Sequence, residues 1–400
     1  MRRRSGVILL IFPVFLLLLN GCDLLLGSDP ESTWGQINWA SAVITTGEIS
    51  GLDAAVSPSG VVSLSYIHNK TNVRTSSRSG DEWVHVDGPQ VIGSQAEEYT
   101  RIAARADGSI AVMYYSESDI QIATVSPGFI SLEPLAELDA DLIRGTRPAT
   151  WSHDSTYLAY GPDDLLRAVV RDVDLQRLWM FRETSTGWEL NYIDESVSTS
   201  GPTDLVISAS GDEHIVFSAN GVGWYFRRKA NSNRWVERLR IPDDPPYRIG
   251  LRADDSSVLA THLLYRIRVA EEIINPVTYS SSWHVREVVD NEILHWHNLD
   301  MILDDKGFPG ILYILGPYWG NYFEVWYAHL KIDGTWNRLN VAKDLSLDTF
   351  NPFHVRLVRE PAGRVHVILT SGKVIGSSGG IPIFEHHLMD IWTDDPDGGS

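Results

Sequence analysis

The sequence predicts an all-β fold: a seven-bladed β-propeller of four-stranded antiparallel blades. Three observations predict it. A tryptophan phrase recurs about every fifty residues, at intervals of 46 to 59 once a phenylalanine is allowed to stand in for one tryptophan. A tight-turn phrase recurs seven times, each followed by an apolar, strand-like stretch. These stretches lack the 3.6-residue spacing of an amphipathic helix.

The tryptophan phrase reads "STW" at Trp34, "DEW" at Trp83, "TGW" at Trp188, "NRW" at Trp235, "SSW" at Trp283 and "GTW" at Trp336. The long gap after Trp83 holds "SPGFI", with Phe129 where a tryptophan is due, and Trp392 ends the series. The turn phrases are "SPSG", "ADGS", "SHDS", "SGDE", "ADDS", "DDKG" and "EPAG". Stretches such as "VVSLSYI", "IAVMYYS", "TYLAYG" and "RVHVIL" follow them. Asp-Gly and related pairs between strand-like segments are hairpin signals. A third strand, for example "VWYAHL", comes next, and the tryptophan phrase supplies the fourth. Four strands per repeat is the make-up of a propeller blade.

After Trp392 only "TDDPDGGS" remains, too short for a fourth strand. "STWGQIN" at 32–38 echoes "GTWNRLN" at 334–340, so the strand around Trp34 is expected to complete the last blade from the other end of the chain. Closure of this kind removes the exposed sheet edges of an open array. The propeller is assigned to 34–395 and a short acidic tail to 396–400.

The first 21 residues read as a targeting segment. "MRRR" is a basic start, and "VILLIFPVFLLLL" at 7–19 is an apolar core of signal-peptide length. It is shorter than the ~20 apolar residues a membrane-spanning helix needs. "LNGC", Leu19 to Cys22, resembles the bacterial lipobox, with Asn20 departing from the smaller residue usual there. The resemblance implies cleavage before Cys22, a lipid on its sulfur, and anchoring to a membrane on the exported side of the bacterial cell envelope. Cys22 is the chain's one cysteine, so no intrachain disulfide can form. Residues 22–33, with "GSDPES", read as a polar tether.

Composition narrows the function. Lys and Arg number 33 against 52 Asp and Glu, a formal charge of −19 that becomes −22 once the three arginines of 1–21 are removed. Such acidity argues against nucleic acid or anionic lipid headgroups as partners. No cofactor motif is present, and none is expected. His295 and His297 in "HWH" have metal-ligand spacing but no evident third ligand, so no metal site is assigned.

One set of residues stands out as a candidate site. Seven positions before each turn glycine or its equivalent stand Asp53, Arg101, Arg147, Asp204, Arg248, Asp300 and Arg356. The next position is apolar in every repeat (Ala54, Ile102, Pro148, Leu205, Ile249, Met301, Leu357), and so is the one after. The innermost strand of a propeller blade lines the central channel, so the alignment predicts a charged ring near one channel mouth. Two readings are open. The alternating signs suit an ion-pair belt, since buried charge needs partners. The excess of one arginine, with Arg101 and Arg147 adjacent, suits an anion site, because guanidinium forks fit carboxylate or phosphate.

The blade endings of the form "YA…G-x-W", as in "YAHLKIDGTW", resemble the sialidase-like, BNR-type propellers of secreted bacterial proteins. The Asp-box of that group, Ser-x-Asp-x-Gly-x-x-Trp, is degenerate: "SSRSGDEW" keeps Ser76, Gly80 and Trp83 but carries Arg78 where the aspartate belongs. The resemblance implies the propeller fold, and a sialidase would hold an acidic sugar with three arginines and attack with a tyrosine. Spacing nominates no catalytic set here. A non-enzymatic binding or scaffold module for a glycan, peptide or protein partner is therefore the expectation. The alternative is a sialidase-like glycan hydrolase using the channel arginines.

Overall fold

Seven copies of one hairpin turn set the frame. In each, the amide of the fourth turn residue donates to the carbonyl of the first, from Gly60 to Ser57 at 2.8 Å through Gly363 to Glu360 at 2.9 Å. The fourth residue lies in the left-handed region: Gly60, Gly108, Gly211, Gly307 and Gly363 at φ between 80° and 99°, Asp164 at 58° and Asp255 at 61°. Glycine adopts this geometry without a Cβ clash, and aspartate is among the few other residues that tolerate it.

The structure, a computed structural model, describes residues 39–80, 82–90, 100–116, 119–126, 129–134, 156–172, 177–194, 199–219, 221–232, 234–241, 246–263, 265–274, 281–290, 294–316, 324–341, 354–378 and 381–393. The assigned signal peptide, Cys22, the tether and the tail lie outside them. No helix is present among the described residues.

Strand β1 (Ala40–Thr46) precedes the first blade, which comprises β2 (Ile49–Val56), β3 (Val62–His68), β4 (Asn72–Ser79) and β5 (Glu82–Gln90). The second is β6 (Thr100–Ala104), β7 (Ile110–Ser116), β8 (Asp119–Ser126) and β9 (Phe129–Pro134). The third is β10 (Tyr157–Tyr160), β11 (Leu166–Asp172), β12 (Arg177–Thr184) and β13 (Gly187–Asp194). The fourth is β14 (Thr199–Ile207), β15 (Glu213–Ala219), β16 (Val222–Arg228) and β17 (Trp235–Ile241). The fifth is β18 (Pro246–Leu251), β19 (Ser257–Leu263), β20 (Arg266–Ile274) and β21 (Ser281–Asp290). The sixth is β22 (Leu294–Leu303), β23 (Pro309–Leu315), β24 (Glu324–Leu330) and β25 (Trp336–Asn340). The seventh contains β26 (Val355–Arg359), β27 (Val365–Ser378) and β28 (Ile381–Thr393), completed by β1.

Each blade is a four-stranded antiparallel sheet, and each first strand packs beside the first strand of the next, β26 beside β2, so the sheets close a ring. The recurrent tryptophans Trp83, Trp188, Trp235, Trp283 and Trp336 all fall on fourth strands, as does Phe129. Trp392 sits on a third strand, β28. The closing strand comes from the N-terminus, with β1 pairing against β28 from Ala40 opposite Trp392 to Thr46 opposite His387. It starts at Ala40; the "STWGQIN" segment around Trp34 lies outside the described residues.

The core is a series of wedges between neighbouring blades. Leu158, Leu166 and Phe181 of the third blade pack on Met113 and Ile122 of the second, for example, and Val367 and Ile391 of the seventh on Leu312 and Tyr327 of the sixth. Burying an aliphatic or aromatic side chain contributes about 1.5–3 kcal/mol, so each blade is held mainly by its two neighbours.

The third blade differs from its expected alignment. The expected turn "SHDS" at 152–155 lies outside the described residues, and the hairpin turn of this blade is found further along. The turn is Gly161–Leu165, with Asp164 in the left-handed position, and "YLAY" is the first strand rather than the second. The ring position of this blade, seven before Asp164, is therefore Tyr157. Arg147 lies outside the described residues.

Candidate functional site

The first strands bring Asp53, Arg101, Tyr157, Asp204, Arg248, Asp300 and Arg356 together around a central cavity of about 380 Å³. Two strand positions further along, Ala55, Ala103, Ala159, Val206, Ile302 and Val358 line the same cavity as an apolar collar. All six of the ring's charged positions on the described strands are thus placed as expected. Tyr157 replaces the expected arginine, leaving three aspartates and three arginines.

The aspartates follow one rule. Asp53 Oδ2 accepts the amide of Ile102 at 3.0 Å, Asp204 Oδ2 that of Ile249 at 2.9 Å, and Asp300 Oδ2 that of Leu357 at 2.9 Å. Each carboxylate crosses to the following blade and satisfies a buried amide there. Asp204 and Asp300 also accept the amides of Leu205 and Met301 through Oδ1, at 2.9 and 3.0 Å.

The arginines follow another. Each sends Nε forward to the next blade: Arg248 to Asp300 Oδ1 at 2.8 Å, Arg356 to Asp53 Oδ1 at 2.7 Å, and Arg101 to the carbonyl of Thr156 at 2.8 Å. Each sends Nη1 back to the carbonyl before it: Thr100, Tyr247 and Val355, at 3.1, 2.9 and 2.8 Å. Among the described residues, six of the seven junctions between first strands are crossed by such a hydrogen bond. At the remaining one, between the third and fourth blades, Tyr157 stands where Asp53 and Asp300 have a guanidinium behind them.

The electrostatics follow from that exception. Asp204 is 2% exposed, and burial pushes its carboxyl up to about 7 against the pull of Arg248 and of the two amides it accepts. The charge of Asp204, with burial second, raises the Tyr157 phenol well above its ordinary value. This unmatched pair was not legible in the sequence, because the turn that places Tyr157 carries aspartate instead of glycine. The "GPDD" at 161–164 was the available signal, since Gly-Pro and Asp-rich tetrads mark turns. The side chains of His295 and His297 lie outside the described residues, and among those described no cluster of His, Cys, Asp or Glu has metal-binding geometry.

What the arrangement does chemically is join blades. A buried charge is tolerated when paired and hydrogen-bonded, and here each Asp or Arg reaches across a junction. The ring sets three aspartates against three arginines, so it lacks the arginine excess expected with Arg147.

No protein-family model matches the sequence, and no curated protein matches it. Solved structures do match. The chain is similar to virginiamycin B lyase from Staphylococcus aureus, at 12% identity and a TM-score of 0.51, covering 88% of this chain and 99% of that one. It is similar to the Cps50 (Swd1) β-propeller domain of Myceliophteria thermophila, at 11% identity and a TM-score of 0.53, covering 88% and 99%. It is similar also to Kuenenia stuttgartiensis hydrazine synthase, at 10% identity and a TM-score of 0.50, covering 86% and 96%. The fold is a β-propeller. At these identities the likeness reaches no further, since one fold hosts many activities.

Proposed function

We propose that this chain is an exported protein, anchored by lipid on Cys22 in the bacterial cell envelope, whose propeller serves as a non-enzymatic binding or scaffold module for a glycan, peptide or protein partner. One observation carries the preference for a module over an acidic-sugar hydrolase. Arg248 and Arg356 give Nε to ring aspartates, and Arg101 gives Nε to a backbone carbonyl. A substrate carboxylate would have to displace these bonds at about 1–3 kcal/mol each for the groups left behind. The lipobox-like "LNGC" supports the anchor, and the charge of −22 supports a partner other than nucleic acid.

Two measurements test the reading. An alkyne fatty acid should label the wild type and leave Cys22→Ser unlabelled; equal labelling would remove the anchor. The purified chain should not turn over a fluorogenic sialoside. Turnover that is lost in Arg248→Ala, in a protein that still folds, would overturn the module in favour of the hydrolase.

A further inference from the structure

A groove of about 750 Å³ opens between the first and second blades, on the side of the hairpin turns. It shares no lining residue with the central cavity. Its volume lies within the roughly 300–1,000 Å³ typical of small-molecule sites. Packing explains why it exists. The other six junctions each hold at least two large aromatic side chains, such as Phe181 and Trp188, Phe217 and Trp235, or Tyr66 and Trp83. This junction is filled by Ile102, Ile110, Val73, Val112 and Val125 with Ala55, Ala104 and Ala123, and Tyr114 is the one aromatic among its described residues. Without a second ring the wedge stays open towards solvent, and Val84 on its wall is 54% exposed.

The walls are chemically mixed. Arg78 and Arg364 offer donors, Asp107 and Glu360 offer acceptors, and Thr75 and Ser77 can do either. Val84, Val86 and Val125 form an apolar side. Arg78 is 7% exposed and held from several directions. It donates to Asp390 Oδ2 at 3.2 Å and to the carbonyl of Gly80 at 3.1 Å, and its guanidinium lies 4.4 Å from the Trp392 ring centre. Buried His366 approaches Asp390 through Nδ1 and Glu360 through Nε2, each at 2.8 Å. One network from the closing blade therefore fixes both a donor and an acceptor of the groove, and preorganisation lowers the entropic cost of binding.

We propose that this groove binds a short neutral saccharide. A small anion would meet two carboxylates there and a small cation two guanidinium groups. A sugar hydroxyl both donates and accepts, so it suits walls bearing both kinds of group. The C–H face of a pyranose suits the valines. The inference rests on the binding-module reading and gives it a location and a ligand class.

The test is isothermal titration of the full chain in detergent with maltose, cellobiose, lactose and N,N′-diacetylchitobiose. The expected result is saturable binding of at least one, weakened tenfold or more by Val84→Trp, which fills the groove from an exposed position. Val43→Trp is the control, at a site 53% exposed on β1, and should bind as the wild type does. If Val84→Trp does not fold, Asp107→Asn, on an exposed turn, should weaken binding at least threefold. Binding that survives the groove variants overturns this location and leaves the module reading standing. No binding of any of the four overturns the saccharide and leaves that reading to peptide or protein partners.

Discussion

Asp204→Asn is the perturbation that most directly tests the ring. Burial raises the Asp204 carboxyl to about 7 in the folded protein, against about 3.9 in an unfolded chain. Between those values the folded state keeps a proton that the unfolded state has released. Stability therefore falls as pH rises through this window, by at most about 1.4 kcal/mol per pH unit, and levels off above about 7. His214 contributes the opposite slope. Burial pushes it down to about 3, so the unfolded chain takes up a proton below about 6.5 that the folded protein refuses, and stability rises with pH over much of the same range. The two nearly cancel in the wild type, and the difference between wild type and variant isolates Asp204. The asparagine side chain stays neutral throughout, and its amino group, unlike the hydroxyl oxygen of the protonated acid, cannot accept at all, so near pH 5 the variant should be less stable by no more than about 1 kcal/mol. It should then gain on the wild type by roughly 2–3 kcal/mol up to pH 7.5. Urea unfolding followed by tryptophan fluorescence, at half-unit pH steps, measures this. Tyr157→Arg supplies the missing guanidinium from the position through which Arg356 reaches Asp53, and should abolish the Asp204 contribution while keeping the carboxyl. Parallel stability curves for wild type and Asp204→Asn would refute the reasoning.

Deleting β1, Ala40–Thr46, removes the partner of β28 and the buried Ile44, and uncovers Leu388. A loss of several kcal/mol is expected, at about 2 kcal/mol per uncovered large aliphatic side chain. Deleting 23–31 should leave melting unchanged, and equal melting of both deletions would contradict closure through β1. Glu213→Gln should cost about 3–5 kcal/mol in urea unfolding, because the fully buried carboxylate accepts from Arg182 Nε at 2.8 Å and Arg228 Nε at 2.5 Å, with Arg167 Nε at 3.4 Å. A change below about 1 kcal/mol would show that the cluster is solvated.

How much of this was legible in the sequence depended on how far apart the interacting groups lie along the chain. The strands and their count were legible because the hairpin turn needs a left-handed residue, and glycine announces it at Gly60, Gly108, Gly211, Gly307 and Gly363. Where aspartate holds that place, the signal weakens. Asp255 still read correctly within "ADDS", but Asp164 was masked by the more turn-like "SHDS" upstream, and the third blade slipped to Arg147. The ring itself was legible because each member sits a fixed distance from its own turn on one strand. Its pairing was not. Arg356 and Asp53 are 303 positions apart, and Asp204 reaches the Ile249 amide 45 positions on, so partners are set by how blades pack. The open junction between the first and second blades has the same origin. Val73, Ala55 and Ala123 are each ordinary strand residues, and only their meeting across a junction leaves a space that the other junctions fill with aromatic rings. The closing strand was predicted from an echo of the tryptophan phrase around Trp34, a segment outside the described residues. What the structure adds is the pairing the echo could not give: Ala40 lies opposite Trp392 and Thr46 opposite His387, and Ile44 is buried against Leu388.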